Sequence, residues 1–302
     1  ISISIPCLTA AKPINKTLNS LRNQTSKDFE CIVMDGKSSD GTQKIISEYS
    51  DIVTKLISEK DDSGAAAVNK AITLSKGEYI FFLYADDYLV DFAIEEITNA
   101  IKNNKLVDYI SYGLQVEDLN TKKVLLTSYS KKNLKSSLYN ACFKHVLNHV
   151  YKKNIFSEIG NLKSLYFDDK IFFSNDREFL IRMCLYGKKN YVIEKVLYKM
   201  QNHESSYTGS RRNIIRIRKE HIGIANFFLD NLGELSLEHK KILKLFKVHN
   251  LTILFILQIF SLNLVDCIKT FKEGLIEYKF FWFFYLISRP LSEIIYRISV
   301  RY

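Results

Sequence analysis

Short apolar runs alternate with amphipathic segments along the first third of this 302-residue chain. The runs at residues 1–10, 29–36, 52–57 and 79–84 predict strands. The last run is continuous rather than alternating, which indicates a strand buried on both faces of a sheet. Strands and helices that alternate at this pitch predict right-handed crossovers and a mostly parallel sheet. The sequence therefore predicts an α/β fold over about residues 1–105.

The pattern changes in the second third of the chain. Strands are expected at residues 107–118, 123–129 and 191–201, and a helix is expected over residues 176–187. This mixture is typical of an α+β arrangement. We expect this second half, residues 106–210, to share one sheet with the first.

The last hundred residues carry most of the net positive charge. From residue 205 onward, fifteen lysines and arginines stand against eight aspartates and glutamates, so this part holds +7 of the net charge of +10. Its apolar stretches, 251–265 and 280–287, fall short of the ~20 residues that a spanning helix needs. We therefore expect residues 245–302 to lie on an anionic membrane surface. The alternative is a helical subdomain that packs on the core or on a partner subunit of an oligomer.

The cysteines indicate the cellular compartment. All five are widely spaced, without the close pairs typical of metal knuckles or redox motifs. Reduced, buried thiols in a cytoplasmic protein are the simplest account, and the sequence shows no signal-peptide pattern at its start. Together with the basic carboxy-terminal region, this predicts a cytoplasmic protein that is peripheral on the inner face of the cell membrane.

Two adjacent aspartates, Asp86 and Asp87, follow the strand predicted at residues 79–84. The carboxyl ends of the strands are where open α/β sheets bind ligands. Adjacent carboxylates repel each other unless a cation or a donor-rich ligand occupies the site. The pair is therefore a candidate ligand site, and a solvated turn that caps the next helix is the alternative.

A resemblance to a known family is carried by two stretches, INKTLNSLRNQTSKDFECIVMDGKSSDGT and SEKDDSGAAAVNKAITLSKGEYIFFLYADD. They resemble the amino-terminal half of inverting family 2 glycosyltransferases with the GT-A fold, and are particularly similar to bacterial enzymes that build surface polysaccharides. The resemblance implies a Rossmann-like mixed sheet flanked by helices. Residues 1–105 would be its nucleotide-sugar-binding half and residues 106–210 its acceptor-binding and catalytic half, followed by a helical region at residues 211–302.

The resemblance also implies a divalent cation and a nucleotide-sugar donor, a UDP-sugar in the first instance. The last aspartate of the motif, Asp87, would bind Mn²⁺ or Mg²⁺, and Asp86 would contact the ribose or complete the coordination shell. His203 matches a position where some relatives place a third metal ligand. Arg211 and Arg212 would clamp the diphosphate, or would instead begin the basic membrane face.

Five residues are expected on the nucleotide side of the site. Asp35 ends the second strand, where the family's equivalent accepts a hydrogen bond from the base, and Pro6 and Thr9 would lie beside that base. Asp62 and Asn69 match the family's second nucleotide-side motif, although their separation is one residue shorter than the pattern. This departure concerns the identity of the donor sugar more than the fold.

An inverting transfer needs a general base that takes the proton of the acceptor hydroxyl. By the resemblance, Asp176 at the start of a predicted helix is this base, and Glu178 is the second candidate. Asn175 stands where the family usually has an acidic residue, and helix capping is the alternative role of Asp176. His149 resembles a histidine that faces the acceptor site, and a structural role is its alternative.

The expected function is the metal-dependent transfer of one sugar from a nucleotide-sugar to a hydroxyl of a glycan acceptor. The basic, apolar carboxy-terminal region suggests that this acceptor is lipid-linked, as in the synthesis of the O-antigen of lipopolysaccharide or of a capsule. A non-catalytic subunit that binds a sugar nucleotide within a membrane assembly is the alternative. A nucleic-acid partner is not expected, because apolar and aromatic clusters accompany the basic charge.

Overall fold

The computed structural model divides into two compact units, Ile1–Asn202 and His203–Tyr302. It describes residues 1–104, 106–129, 137–143, 149–159, 171, 174–202, 211–232 and 235–288. Among the predicted site residues, His203 lies outside the described residues, and Arg211 and Arg212 are described in their backbone only.

The first unit alternates strands and helices and then mixes the two, as the sequence predicts. Its elements are β1 (Ser2–Cys7), α1 (Ile14–Arg22), β2 (Glu30–Asp35), α2 (Thr42–Ser47), β3 (Val53–Ser58), α3 (Gly64–Leu74), β4 (Tyr79–Phe82), β5 (Tyr88–Leu89), α4 (Ala93–Asn103), β6 (Tyr109–Asp118), β7 (Val124–Ser128), α5 (Ser137–Phe143), β8 (His149–Lys152), α6 (Asn154–Glu158), α7 (Asn175–Leu185) and β9 (Asn190–Asn202). The described part of the second unit is helical, with α8 (Arg211–Asn231), α9 (Leu237–Phe260) and α10 (Leu264–Ser288).

Within the described residues, nine strands form one sheet in the order β3-β2-β1-β4-β8-β6-β9-β5, and β7 pairs with β6. The first four strands run parallel to one another. In the other half, β8 is antiparallel to both of its neighbours and β5 is antiparallel to β9. The result is a mixed sheet that both halves of the unit share. Because β1, β2, β3 and β4 are parallel, their carboxyl ends open at the same edge.

Apolar side chains hold the helices on this sheet. Ile14, Leu18 and Leu21, spaced by about one helical turn, are fully buried on α1. They belong to the same core cluster as Ile3 of β1 and Phe81 of β4, which are also fully buried. Burial of each such side chain contributes about 1.5–3 kcal/mol, so the apolar spacing of α1 fixes which face it turns to the sheet.

A glycine after a helical pattern predicts a C-terminal stop, and Gly77 follows α3 in this way. The structure gives it another role. α3 ends at Leu74, and Ser75 after it is extended (φ −65°, ψ 137°) rather than left-handed. A Cβ atom on Gly77 would lie 2.6 Å from Ser2 Oγ and 2.7 Å from Ser2 N. Glycine is needed here because the chain passes directly against β1.

The helices of the second unit pack through buried polar pairs as well as apolar side chains. Between α8 and α9, His221 Nδ1 lies 3.0 Å from Asn250 Oδ1. Between α9 and α10, the buried Lys247 forms an ion pair with Glu277, and its Nζ lies 3.8 Å from Glu273 Oε1. A buried charge is costly without its partner, so these pairs favour one specific alignment of the helices.

α9 is, among the described helices, the one that is long and apolar enough to cross a membrane by length and composition. Its most apolar window has a mean hydropathy of 1.6, and 67% of that window is buried inside the protein. The apolar stretch expected from the sequence covers residues 251–265 alone. The helix that contains most of this stretch begins earlier, at Leu237, and is therefore longer than expected. A buried core helix passes the same test, so this property alone does not place α9 in a membrane.

α10 is interrupted at Lys279, whose φ of 47° and ψ of −131° are not helical. Beyond the break, Trp282 is fully buried, and its indole N–H donates a hydrogen bond to Thr252 Oγ1 at 3.1 Å. Gly274 makes room for the ring, since a Cβ atom there would lie 2.4 Å from the nearest ring carbons. The aromatic run at residues 280–285 therefore does not face a membrane as a whole, because Trp282 belongs to the interior.

We expect Gly274→Ala to destabilise the second unit, because the added methyl group fits only if the Trp282 ring moves. Overpacking of this kind costs about 1–3 kcal/mol of unfolding free energy. Urea unfolding followed by tryptophan fluorescence measures it, since Trp282 is the single tryptophan of the sequence.

The matched control is Gly223→Ala in α8, where a Cβ atom meets no described atom within 4 Å. Alanine is favoured over glycine inside a helix by about 0.5–1 kcal/mol, so we expect this variant to be at least as stable as the parent. Equal unfolding free energies for the two variants would contradict the packing of Trp282 on Gly274.

Candidate active site

The carboxyl ends of β1, β2 and β3 lie side by side, and Asp35 is at their centre. It is paired in register with Cys7 on β1 and with Ser58 on β3. Its fully buried carboxylate accepts hydrogen bonds from the Ser58 hydroxyl at 2.6 Å and from the Ser38 N–H at 3.2 Å. Burial, followed by the charge of Asp35, raises the pKa of the Cys7 thiol to about 12. The aspartate predicted to contact a base is thus held in place by the chain's own donors.

Two loops beside Asp35 adopt left-handed backbone conformations that residues other than glycine rarely take. Thr9 has a φ of 54° and Lys37 a φ of 66°, and the Thr9 N–H donates a hydrogen bond to Ser38 Oγ at 2.8 Å. Strained residues of this kind concentrate at ligand sites, where surrounding contacts hold them. Thr9 and the half-buried Pro6 share this edge with Asp35, and their contact with a base stays a prediction.

Asp62 and Asn69 differ in their surroundings. Asp62 is exposed in the loop before α3, whereas Asn69 is buried within that helix. Two other carboxylates of this region are bound to Lys70, namely Asp61 at 2.8 Å and Glu59 at 2.6 Å. The nucleotide contact of Asp62 and Asn69 stays a prediction.

The turn that follows β4, Ala85 to Asp87, is held at each of its three carbonyl groups. The Thr17 hydroxyl of α1 lies 2.9 Å from the Ala85 carbonyl oxygen and 2.7 Å from that of Asp87. The side-chain amide of Gln201 donates to the Asp86 carbonyl oxygen at 2.5 Å. A turn fixed from both sides presents its side chains in one orientation.

The Asp87 carboxylate faces β9 rather than solvent. It is 3% exposed, and its two oxygens accept hydrogen bonds from the Tyr198 hydroxyl at 2.6 Å and from the Gln201 N–H at 2.9 Å. Burial and then the charge of Asp86 raise its pKa well above the usual range of aspartate. Each oxygen of Asp87 thus already accepts one hydrogen bond inside the protein, and the role of Asp87 as the principal metal ligand stays a prediction. Asp86, which is half-buried, is the member of the pair that an ion can reach from solvent.

Sequence reasoning missed the residues that hold this turn, Thr17, Tyr198 and Gln201. Lys16 joins them, since its Nζ donates to Gln201 Oε1 at 3.1 Å and lies 3.5 Å from the centroid of the Tyr88 ring. The available signal was position. Lys16 and Thr17 lie near the start of α1, the helix that follows β1. Tyr198 and Gln201 lie near the end of β9.

Tyr84 shows that the later aspartate approaches the same edge. Burial raises the pKa of its phenol far above the usual value, and the carboxylates of Asp176, Asp87 and Asp86 add to the rise in that order. Asp176 lies in the first turn of α7, 89 positions after Asp87 in the chain. The fold therefore brings the predicted base and the predicted cation-binding pair within electrostatic range of one hydroxyl group.

Arg177 anchors the turn of α7 that carries Asp176. Its guanidinium donates hydrogen bonds to the carbonyl oxygens of Ala141 and Cys142 at 2.7 and 2.8 Å. Both carbonyls belong to the last turn of α5, where carbonyl groups lack helical partners. This contact fixes the start of α7, and with it the position of Asp176.

Glu178, the second candidate for the base, is part of a buried ion pair. It is 6% exposed, and Arg182 donates to its two oxygens at 3.1 and 2.6 Å. Arg182 also donates to the carbonyl oxygen of Ile159 at 2.7 Å. These contacts favour a structural role for Glu178, and the assignment of the base to Asp176 stays a prediction.

His149, predicted to face the acceptor, is buried at the start of β8. Its ring lies 5.7 Å from that of Tyr109 and 6.0 Å from that of Tyr151. This packing places His149 among the aromatic side chains of the sheet rather than on an open surface, which favours the structural alternative.

Comparison with known proteins identifies the family. Residues 2–160, just over half of the chain, match the profile described as Glycosyl transferase family 2. The chain is 29% identical over 206 residues to an uncharacterized glycosyltransferase of Methanocaldococcus jannaschii, which covers 64% of this chain and 68% of that protein. It is 34% identical over 116 residues to the Escherichia coli UDP-Glc:alpha-D-GlcNAc-diphosphoundecaprenol beta-1,3-glucosyltransferase WfgD, which covers 38% of this chain and 46% of WfgD. The matches thus span about half to two thirds of these relatives.

A solved structure shares the fold. The mannosyltransferase PcManGT from Pyrobaculum calidifontis, in complex with GDP-Man and Mn²⁺, has a TM-score of 0.62 and 16% identity, covering 99% of this chain and 85% of that one. The likeness confirms the predicted GT-A architecture, a mixed sheet flanked by helices with further helices after it. Because the family profile covers more than half of its length, the chain belongs to glycosyl transferase family 2 and is a glycosyltransferase.

Proposed function

We propose that this enzyme moves one sugar from a UDP-sugar to a hydroxyl group of a lipid-linked glycan during synthesis of a bacterial surface polysaccharide such as O-antigen or capsule. The transfer inverts the anomeric carbon and uses a divalent cation. The observation that carries the proposal is that Asp176, Asp87 and Asp86 all lie within electrostatic range of the Tyr84 phenol, whose pKa their charges raise. Such a transfer needs a cation-binding carboxylate near the leaving group and a basic carboxylate near the acceptor, and we assign these roles to Asp86 and Asp176.

A nucleoside diphosphate donor is supported by the edge around Asp35. A buried carboxylate can accept a hydrogen bond from a ring N–H of the base, and a base without that group would leave an acceptor unpaired. Both uracil and guanine offer such a group, and the named relatives include an enzyme for UDP-Glc and one solved with GDP-Man. We assign UDP because WfgD has the higher sequence identity to this chain.

A divalent cation fits the turn that carries Asp86. Among the described residues, no group of three or more His, Cys, Asp or Glu side chains could enclose a metal ion. Mg²⁺ and related ions are commonly held by one or two carboxylates and take their other ligands from substrate phosphates and water. Asp86 would hold the ion, and His203 remains a candidate for a further ligand. When bound, the ion neutralises the negative charge that develops on the leaving diphosphate.

Asp176 is the general base in this proposal. Its carboxylate accepts the proton of the acceptor hydroxyl while that oxygen attacks the anomeric carbon, and the nucleoside diphosphate leaves from the opposite face. Arg177 holds the first turn of α7 on α5, which keeps Asp176 in position for the attack. Asp87 acts through its buried hydrogen bonds, by holding the turn that presents Asp86.

The acceptor and the location are proposed together. WfgD, by its name, acts on a sugar linked to diphosphoundecaprenol. The surplus of basic residues after residue 204 suits an anionic membrane surface, so a peripheral position on the inner face of the membrane would bring the site to a lipid-linked acceptor. Membership of the glycosyltransferase family favours the enzyme over a non-catalytic scaffold.

A screen of nucleotide-sugars tests the donor. We expect one UDP-sugar to raise the melting temperature of the protein in the presence of Mn²⁺ and to do so less in its absence. A ligand at a hundred times its Kd stabilises the folded state by about 2.7 kcal/mol, which thermal shift detects. Stabilisation by GDP-sugars instead of UDP-sugars would overturn the assignment of the base.

Replacement of the paired aspartates separates their roles. We expect Asp86→Asn to lower transfer by about 10²-fold or more, because a ligand for the charge-neutralising ion is lost. Asp87→Asn keeps a side chain that can bond to Tyr198 and Gln201, so its activity should need about the same Mn²⁺ concentration as the parent. Initial rates measured against Mn²⁺ concentration decide between them. A shifted Mn²⁺ requirement in Asp87→Asn, with none in Asp86→Asn, would reverse the assignment.

Asp176→Asn should lower transfer by about 10³-fold, the size of a general-base contribution, while the Kd for UDP stays the same. Glu178→Gln is its control. It should leave the rate per folded molecule unchanged but lower the unfolding free energy by about 3 kcal/mol, because Arg182 loses a buried ionic partner. Transfer at the parental rate by Asp176→Asn would remove this residue from the mechanism.

A further inference from the structure

The turn between α9 and α10 exposes a run of large apolar side chains. Residues 259–265 are all exposed and carry no charge. The apolar members of this run and the nearby Ile268 are here named the apolar tip, which consists of Ile259, Phe260, Leu262, Leu264, Val265 and Ile268. Contiguous exposed apolar surface of this kind marks a site that a partner or a membrane covers.

The backbone of the turn is closed on itself. The Leu262 N–H donates to the Ile259 carbonyl oxygen at 3.0 Å, and the Asn263 N–H donates to that of Gln258 at 3.1 Å. These two bonds form a Schellman motif. On the side of α10, Asn263 Oδ1 accepts a hydrogen bond from the Asp266 N–H at 3.2 Å. Backbone donors that are satisfied internally can leave water without losing hydrogen bonds.

Leu262 occupies the position that glycine or asparagine normally takes in this motif. Its φ is 54°, in the left-handed region that disfavours residues with a Cβ atom. Its side chain is 84% exposed, so packing within the chain does not compensate for the strain. A strained leucine at the end of a helical hairpin has an explanation if its side chain is buried in a lipid phase.

Basic residues stand behind the apolar tip. Lys269 and Lys272 on α10 are exposed. Asp266, the acidic residue beside the tip, lies 3.6 Å from Lys219 Nζ. Apolar side chains backed by lysines are complementary to an anionic bilayer, in which the apolar groups enter the acyl boundary and the ammonium groups remain at the phosphates. This pattern of charge favours a membrane over a second copy of this basic chain.

We infer that the apolar tip inserts into the boundary between headgroups and acyl chains of an anionic lipid bilayer and docks the enzyme there. The inference rests on the peripheral membrane location proposed above. It assigns the contact to residues 259–268 instead of the aromatic run 280–285, in which Trp282 is buried. The helix ends thus meet the bilayer, while the polar pairs between the helices remain inside the protein.

Flotation with lipid vesicles tests this contact on the full chain. The variant Phe260→Ser/Leu262→Asn/Val265→Ser should bind vesicles of phosphatidylcholine and phosphatidylglycerol at least about tenfold more weakly than the parent. The control Leu237→Ser removes an exposed leucine at the opposite end of α9 and should bind like the parent. Parental binding by the triple variant would overturn the inference.

A fluorophore gives a second readout that does not depend on loss of binding. The five native cysteines are buried, so Ser261→Cys can be labelled with a probe that responds to polarity. We expect its emission to shift to the blue with phosphatidylglycerol vesicles and less with phosphatidylcholine alone. An unchanged emission from vesicle-bound protein would place the contact elsewhere. Self-association through the tip, measured by light scattering without lipid, would make a second copy the occupant and overturn the inference.

Transfer to a soluble acceptor separates this inference from the proposed function. The triple variant should keep parental transfer in solution, because the substitutions lie outside the unit that holds the candidate active site. If the triple variant keeps both parental transfer and parental flotation, the proposed membrane contact is wrong and the proposed function is unaffected. Absence of transfer by the parent chain with every donor bears on the proposed function and leaves the vesicle result standing.

Discussion

The buried carboxylate of Asp87 organises the candidate active site of this protein. Its partners, the Tyr198 hydroxyl and the Gln201 N–H, belong to β9, so the end of a late strand is joined to the turn that follows β4. Burial raises the pKa of this group even with both bonds in place, and an unpartnered charge there would be far more costly. Since Thr17 and Gln201 also hold the carbonyls of the turn, Asp86 is presented in one position. Preorganised groups of this kind avoid rearrangement during reaction.

The parallel strands explain why the residues predicted to bind the donor and the cation lie at one edge of the sheet. β1, β2, β3 and β4 all end at one edge of the sheet. Asp35 and the pair Asp86 and Asp87 lie at this edge simply because each follows or ends one of these strands. Asp176 reaches this edge by a different route, through a helix whose first turn is held by Arg177 on α5. The charges of all three carboxylates, Asp176, Asp87 and Asp86, raise the pKa of Tyr84, so Tyr84 lies within electrostatic range of both the sheet edge and the start of α7. The site therefore depends on two separate structural elements, the sheet edge and the start of α7.

Much of the fold was predictable, because buried parallel strands are short apolar runs and their helices have a regular apolar face. The positions of Asp35, Asp86 and Asp87 at strand ends followed from the same pattern. Which of the two adjacent aspartates faces solvent did not follow, since neighbouring side chains leave the backbone in different directions. The answer depends on Tyr198 and Gln201, more than a hundred residues away, and on irregular pairing of β9 with β6 near Gly113. A single sequence does not reveal that register.

The second unit shows the same limit in another form. An average over α9 records an apolar helix, but it does not record that Lys247 and Asn250 are buried against Glu277 and His221. Such pairs form only when the partner helices, α8 and α10, pack against α9. Much of the surface of α9 is therefore buried inside the protein. The exposed apolar side chains are then concentrated where α9 ends and its neighbours no longer cover it. Length and hydropathy alone would allow membrane contact along the whole of α9, whereas the buried polar pairs favour the contact proposed here, at the turn that follows the helix.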